Sequence, residues 1–212
     1  MLSDYTDILW DFNGTILDDV KTGIDSVNKL LAERGLKTID TLERYYSVFG
    51  FPVIDYYKRL GFDFEKEPYE IVAKQWVSEY LERVKEAGVR EGVRELIEHF
   101  STQGLRQTII SATEQSMLTE QMRELGLEGF FDEVLGIGNI YAVSKERTAL
   151  AWREKHPTAR ALFIGDTVHD AEVAKLIGAD CILVCGGHQS KETLQRSGLT
   201  VAENIEKILE LL

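Results

Sequence analysis

At 212 residues the chain can bury one full core and carry an insertion as well. A composition of 44% hydrophobic and 28% charged residues is that of a globular protein, and a net charge of −12 argues against binding a nucleic-acid backbone, which needs clustered Lys and Arg. The polar, acidic start Leu2-Ser3-Asp4-Tyr5-Thr6-Asp7 is unlike a secretory leader and no apolar run approaches a membrane span, so the expectation is a cytoplasmic protein that engages neither membrane nor nucleic acid.

The first apolar run, 7–11, predicts a strand that ends on Asp11-Phe12-Asn13-Gly14-Thr15. The segment 16–91 contains no convincing strand and reads as helices. One runs from an Asp18/Asp19 cap through Val20, Ile24, Val27 and Leu31 to Gly35. A second starts at Pro52 and stops at Gly61, and a third, spaced by Val72, Trp76, Tyr80 and Val84, stops at Gly88. This stretch is rich in aromatic residues. Most suit the packing of a small helical bundle, and the 45–57 stretch is the one expected to shape a pocket.

Beyond it the pattern alternates. A helix marked by Leu96, Ile97 and Phe100 ends near Gly104, a strand spans 107–111, and a helix carrying Leu118, Met122 and Leu125 is stopped by Gly126. Strands at 133–137, 160–165 and 180–185 follow. Between the last two lies a helix through Val173, Ala174, Leu176 and Ile177, and Ile205, Ile208, Leu209 and Leu212 mark a final one. The fold class predicted is α/β, a Rossmann-like parallel sheet with helices on both faces plus an inserted all-helical cap. Residues 1–15 and 92–212 form the core in this reading and 16–91 the cap. Cys181 and Cys185 would stand on one face of a strand about 13 Å apart, at roughly 3.3 Å per residue. That is too far for a disulfide, and they read as core fillers.

Two acidic clusters carry the chemistry. Asp11 follows the first strand, and Gly165-Asp166-Thr167-Val168-His169-Asp170 follows a later one. Carboxylates at the ends of buried strands are costly unless something there needs them. A parallel sheet brings such ends to one crevice when it places the strands side by side. The pair suits a nucleophilic carboxylate beside a divalent cation. Plainer readings exist for each residue: Asn13-Gly14 as a hairpin turn, although only Thr15-Ile16-Leu17 is left for a second arm; Asp166 and Asp170 as helix caps; Ser111 as a strand-end hydroxyl; Lys145 as a solvated first-turn residue. A cation at a helix N-terminus is mildly unfavourable, which favours a functional role for Lys145. His169 and His188 read as loop residues and His99 and His156 as peripheral.

Four segments together resemble the haloacid dehalogenase-like hydrolase superfamily, in particular its phosphoglycolate-phosphatase-like branch with a helical cap. They are Asp11-Phe12-Asn13-Gly14-Thr15, Thr108-Ile109-Ile110-Ser111-Ala112, Val143-Ser144-Lys145-Glu146 and Phe163-Ile164-Gly165-Asp166-Thr167-Val168-His169-Asp170. The resemblance spans essentially the whole chain. It implies that Asp11 attacks phosphorus and forms an aspartyl-phosphate, with Mg²⁺ as cofactor. It further implies that Asp11, the Asn13 backbone carbonyl and Asp166 hold the metal with Asp170 beside or behind it, and that Ser111, Ala112 and Lys145 bind phosphate. The substrate would be a small phosphorylated metabolite. Whether the chain is a monomer or a dimer is not legible in the sequence.

Asn13 departs from the pattern, because phosphatases of the superfamily carry there an Asp that protonates the leaving oxygen and then activates water. Its loss is worth roughly 10²–10⁴-fold in rate for an alkyl ester. Three readings stay open at this point: a substrate whose leaving group needs no proton, such as an acyl or aryl phosphate or a phosphoanhydride; another acid, or a water held by Asn13, in its place; or a weakly active phospho-ligand-binding module. A phosphonate hydrolase is a further alternative, without a cap lysine to assign to it.

Overall fold

The strand β1 (Asp7–Trp10) is buried along its whole length, as a strand must be when helices cover both faces of its sheet. The computed structural model describes residues 2–141 and 144–212; Val143, quoted with the lysine segment, lies outside the described residues, as do Met1 and Ala142. After β1 come the four helices of the inserted stretch: α1 (Val20–Glu33), α2 (Leu42–Val48), α3 (Val53–Arg59) and α4 (Tyr69–Arg83). The alternating part then runs α5 (Val93–Thr102), β2 (Arg106–Glu114), α6 (Gln115–Glu124), β3 (Glu133–Ile137), α7 (Glu146–Lys155) and β4 (Ala161–Gly165). It closes with α8 (Val168–Leu176), β5 (Asp180–Val184), α9 (Lys191–Gln195) and β6 (Thr200–Ala202).

The sheet order is β3-β2-β1-β4-β5-β6 and every neighbouring pair is parallel. Successive side chains of β1 point to opposite faces. Ile8 and Trp10 pack with Leu96, Ile97 and Phe100 of α5 and Leu118 and Met122 of α6. Leu9 packs on the other side with Ala149 and Trp152 of α7 and Val173 and Ala174 of α8. The predicted Rossmann-like architecture is thus present.

The helical segment has an apolar centre of its own, built from residues such as Val27, Leu30 and Leu31 of α1, Tyr45 of α2, Tyr57 of α3 and Val72 of α4. Tyr80 and Val84 belong to the sheet's cluster, and Trp76 packs against both clusters. The two chain passages between this segment and the sheet run side by side: Asp18 N donates to Gly88 O and Arg90 N to Ile16 O, each at 2.9 Å.

Several expectations shift in detail. β2 runs on to Glu114 through a break in register between Ile110 and Glu114. Such an irregularity re-aims side chains at a strand end, and here it does so beside the site. α2, α9 and the three-residue edge strand β6 are not among the predicted elements, since each is too short for its periodicity to stand out. The last predicted helix is a 3₁₀ helix, Ile205–Leu211. Asn13-Gly14 makes a tight flap instead of a hairpin: Gly14 has φ +73°, its N–H donates to Leu17 O at 3.0 Å, and Leu17 N donates to Phe12 O at 2.9 Å. Cys181 and Cys185 are free thiols, and both are half-buried where core fillers were expected. Among the described residues no helix is long and apolar enough to cross a membrane.

Candidate active site

The sheet order reverses between β1 and β4, the crevice position at which open α/β sheets bind ligands. Trp10 pairs with Ile164, and Asp11 N donates to Ile164 O at 2.9 Å, so Asp11 leaves β1 beside the place where Asp166 leaves β4. Asp170 sits in the first turn of α8, where a capping box holds it. Its Oδ2 accepts from Thr167 N at 2.9 Å and Thr167 Oγ1 at 2.7 Å, so capping is one of its roles. Asp11, Asp166 and Asp170 are all buried, and each offers a carboxylate oxygen within 4.8 Å of the others.

Two glycines let the backbone close on this cluster. A Cβ on Gly14 would lie 2.4 Å from Asp166 Oδ2, and one on Gly187 would lie 2.2 Å from the same atom. Asp166 is further held by Thr15 Oγ1, which donates to Oδ1 at 2.9 Å, and by His188 N, which donates to Oδ2 at 2.5 Å. Lys145, at the N-cap of α7, is buried and ion-paired with both Asp11 and, at 2.5 Å, Asp170. Burial disfavours its charge, but the two carboxylates outweigh that and raise its pKa.

One lysine does not balance three carboxylates. Burial and then the neighbouring charge of Asp170 push the Asp11 carboxyl well above the ordinary range against the pull of Lys145. Burial also raises Asp166, with His188 opposing it. Asp170 is lowered, because Lys145 and Thr167 overcome its burial. A pocket of buried carboxylate oxygens with surplus negative charge is a donor set that fits a hard divalent cation such as Mg²⁺.

Asn13 is locked in a network that the sequence did not reveal. Its Nδ2 donates to Asp19 Oδ2 at 2.8 Å and lies 2.9 Å from Tyr80 Oη, while its Oδ1 accepts from Thr113 Oγ1 at 2.6 Å. Asp19 was expected to cap α1 but makes no side-chain cap bond; it accepts instead from Gly14 N at 2.8 Å and Tyr80 Oη at 2.6 Å. His188 is buried, with Nε2 3.3 Å from Asp19 Oδ1 and Nδ1 2.7 Å from Tyr45 Oη. Asp19 outweighs burial and raises its pKa to about 9. The readable signal for His188 was its place after an apolar strand, in Cys185-Gly186-Gly187-His188, the same position that drew attention to Asp11. His169 belongs to α8 and not to a loop; it is buried and stacks on Phe51 with ring centroids 4.6 Å apart.

Ser111 accepts from Thr113 N and donates to Thr113 Oγ1, both at 3.0 Å. Ser111, Ala112 and Lys145 line the same cavity as Asp11, Asn13, Asp166 and Asp170, so every site residue picked from the sequence faces one space. Its volume is about 160 Å³, and rings from the helical segment line it as well, among them Phe49, Phe51, Tyr56, Tyr69 and Trp76. The 45–57 stretch contributes to that wall as expected.

Residues 8–184 match the family described as haloacid dehalogenase-like hydrolase. A phosphoglycolate phosphatase of Pseudomonas savastanoi pv. phaseolicola is 24% identical over 95% of this chain and 78% of its own length. A phosphoglycolate phosphatase of Caulobacter vibrioides is 24% identical over 88% and 83%. Among solved structures, the haloacid dehalogenase-like family protein SP0104 of Streptococcus pneumoniae superposes with a TM-score of 0.85 at 19% identity, covering 99% of both chains. With a family match that runs from β1 through β5, the chain belongs to the haloacid dehalogenase-like hydrolases.

Proposed function

We propose that the chain is a Mg²⁺-dependent phosphatase of small phosphorylated metabolites, working through an aspartyl-phosphate on Asp11, with residues 16–91 as a cap over the core formed by 1–15 and 92–212. The observation that carries this reading is the trio of buried carboxylates Asp11, Asp166 and Asp170 within 4.8 Å of one another, with Lys145 paired to the first and third. The phosphatases among its relatives support the reaction class.

Asp11, Asp166 and the backbone carbonyl of Asn13 would hold the metal, with Asp170 behind. When bound, Mg²⁺ neutralises charge between an anionic nucleophile and an anionic phosphate. The remaining work falls to the chain. The Asp11 carboxylate attacks phosphorus. Lys145 stabilises charge on Asp11 and on the incoming phosphoryl group, and Ser111 with the Ala112 N–H donates to phosphate oxygens. The rings of the helical segment exclude water. Among the described lining residues Lys145 is the only lysine, and it comes from the core, so a phosphonate hydrolase that needs a lysine on the cap draws no support.

The test is phosphate release from a panel of phosphorylated metabolites with Mg²⁺, beside an Asp11→Asn control. The expected result is turnover in the wild type and a loss of at least about 10³-fold in the control. Mg²⁺ and phosphate binding without turnover of any substrate would instead identify a phospho-ligand-binding module.

A further inference from the structure

We infer that the substrate is an aryl phosphate monoester, an aromatic ring bonded through oxygen to phosphate, and not a phosphate ester that carries a second anionic group. The inference rests on the phosphatase reading above and deepens it. Two independent features of the site carry it.

The first is the chemistry of the cavity wall. A substrate with a second anionic group needs a free cation opposite it. The described lining residues include no arginine and one lysine, Lys145, which is engaged with Asp11 and Asp170. His188 is held by Asp19 and Tyr45. Thr113, Glu114, Thr167 and the tyrosine hydroxyls add polar groups but no cation, and the remainder of the wall is apolar: the rings already named, with Val53, Val77, Met117 and Ile140. The cavity, about 160 Å³, spans both the carboxylates and the rings, so a ligand whose phosphate meets the former carries its other end against the latter. One hydrogen-bonding nitrogen in this wall, Nε2 of His169, is buried without a partner, and it offers a single contact to a polar substituent on a ring.

The second feature is Asn13. Its amide is spent on Asp19, Tyr80 and Thr113, and it cannot give a proton to a leaving oxygen. An alkoxide is about as basic as hydroxide, whose parent water ionises near 15.7, so it leaves poorly without a proton. A phenol ionises near 10, so its oxide departs with little help. The step balances without an acid: a bond forms between an Asp11 oxygen and phosphorus as the bond from phosphorus to the aryl oxygen breaks. The aryl oxide carries off the electron pair and takes its proton from solvent. Water then attacks phosphorus, the Asp11–phosphorus bond breaks, and inorganic phosphate leaves with the aspartate restored. The cavity selects the ring and the missing acid selects the leaving group; an aryl phosphate satisfies both.

The experiment compares kcat/KM of the full chain with Mg²⁺ for phenyl phosphate, benzyl phosphate, 2-phosphoglycolate and acetyl phosphate. Phenyl phosphate is expected to exceed benzyl phosphate and 2-phosphoglycolate by at least about tenfold each, the low end of what a missing acid costs. Phe51→Ala should raise KM for phenyl phosphate about fivefold, and by a clearly larger factor than it raises KM for acetyl phosphate, because only the former carries a ring for the wall to hold. A 2-phosphoglycolate value equal to or above that of phenyl phosphate overturns the inference and leaves the phosphatase reading intact. So does benzyl phosphate matching phenyl phosphate, or hydrolysis of acetyl phosphate alone. No turnover of any of the four overturns the phosphatase reading, and the inference with it.

Discussion

The half-buried Asn13 amide donates through Nδ2 to Oδ2 of the buried Asp19 across 2.8 Å. The two side chains are matched as donor and acceptor, and a second carboxylate at position 13 would face the first as a like charge. Asn13→Asp is therefore predicted to lower unfolding free energy by about 1–3 kcal/mol in the absence of metal. Adding Asp19→Asn restores the original count of one carboxylate and one amide, and the double variant should recover about 1 kcal/mol relative to additivity. Urea melts of the four proteins measure this. Strict additivity would show that the contact does not couple the two residues.

Lys145 is the single lysine against Asp11 and Asp170, and its ammonium also sits 5.1 Å from the Phe163 ring centroid. Lys145→Met removes the cation and leaves the carboxylates facing each other without it. The predicted loss is about 3–5 kcal/mol in metal-free buffer, the usual result of breaking a buried pair from one side. Mg²⁺ should return part of that stability without returning activity, since the phosphate would still lack its ammonium. Equal melting temperatures for wild type and variant in EDTA would refute this account of the charge balance.

The surplus of negative charge makes metal binding a stability effect. At a free Mg²⁺ concentration of one hundred times Kd, binding stabilises the fold by about 2.7 kcal/mol, or roughly 5–10 °C in Tm for a chain of this size. Asp166→Asn should abolish most of that shift while leaving the metal-free protein folded, because the amide oxygen can still accept from the His188 N–H while its NH2 donates to the Thr15 hydroxyl, which can also accept. Thermal denaturation with and without EDTA decides the matter. A shift of the same size in the variant would place the cation elsewhere.

What the sequence made legible follows from what periodicity and strand ends can carry. β1 and β4 are apolar runs that each end on an aspartate, and their adjacency was inferable because a parallel sheet is the economical way to bury both. Asp19 was hidden by a good local explanation, since an acidic residue before a helix reads as a cap, and only the fold brings it against Asn13 and His188. Thr113 was hidden differently: it lies past the predicted end of β2, in the stretch where the register breaks, and no repeat pattern foretells that irregularity. The ring wall was foreseen as a composition but not as a surface, because which aromatic faces the cavity depends on the packing of α1 to α4.

The absence of an acid at position 13 affects the two chemical steps unequally when the leaving group is a phenol. Departure of the aryl oxide needs little proton transfer, whereas hydrolysis of the phosphoenzyme still wants a base to take a proton from water. On the resemblance drawn from the sequence, that base would be an aspartate in the place where this chain has Asn13. The second step should therefore be the slower one, and the phosphoenzyme on Asp11 should accumulate. Rapid mixing with p-nitrophenyl phosphate and Mg²⁺ is predicted to give a burst of nitrophenol close to one equivalent per site, followed by a steady rate about 10-fold slower or more. In Asn13→Asp the burst should shrink as the steady rate rises, because a carboxyl beside Asp19 has its pKa raised toward the range of a useful acid and base. A wild-type reaction with no burst, but the same slow steady rate, would mean that phosphoryl transfer to Asp11 limits turnover and that the missing acid acts on the first step.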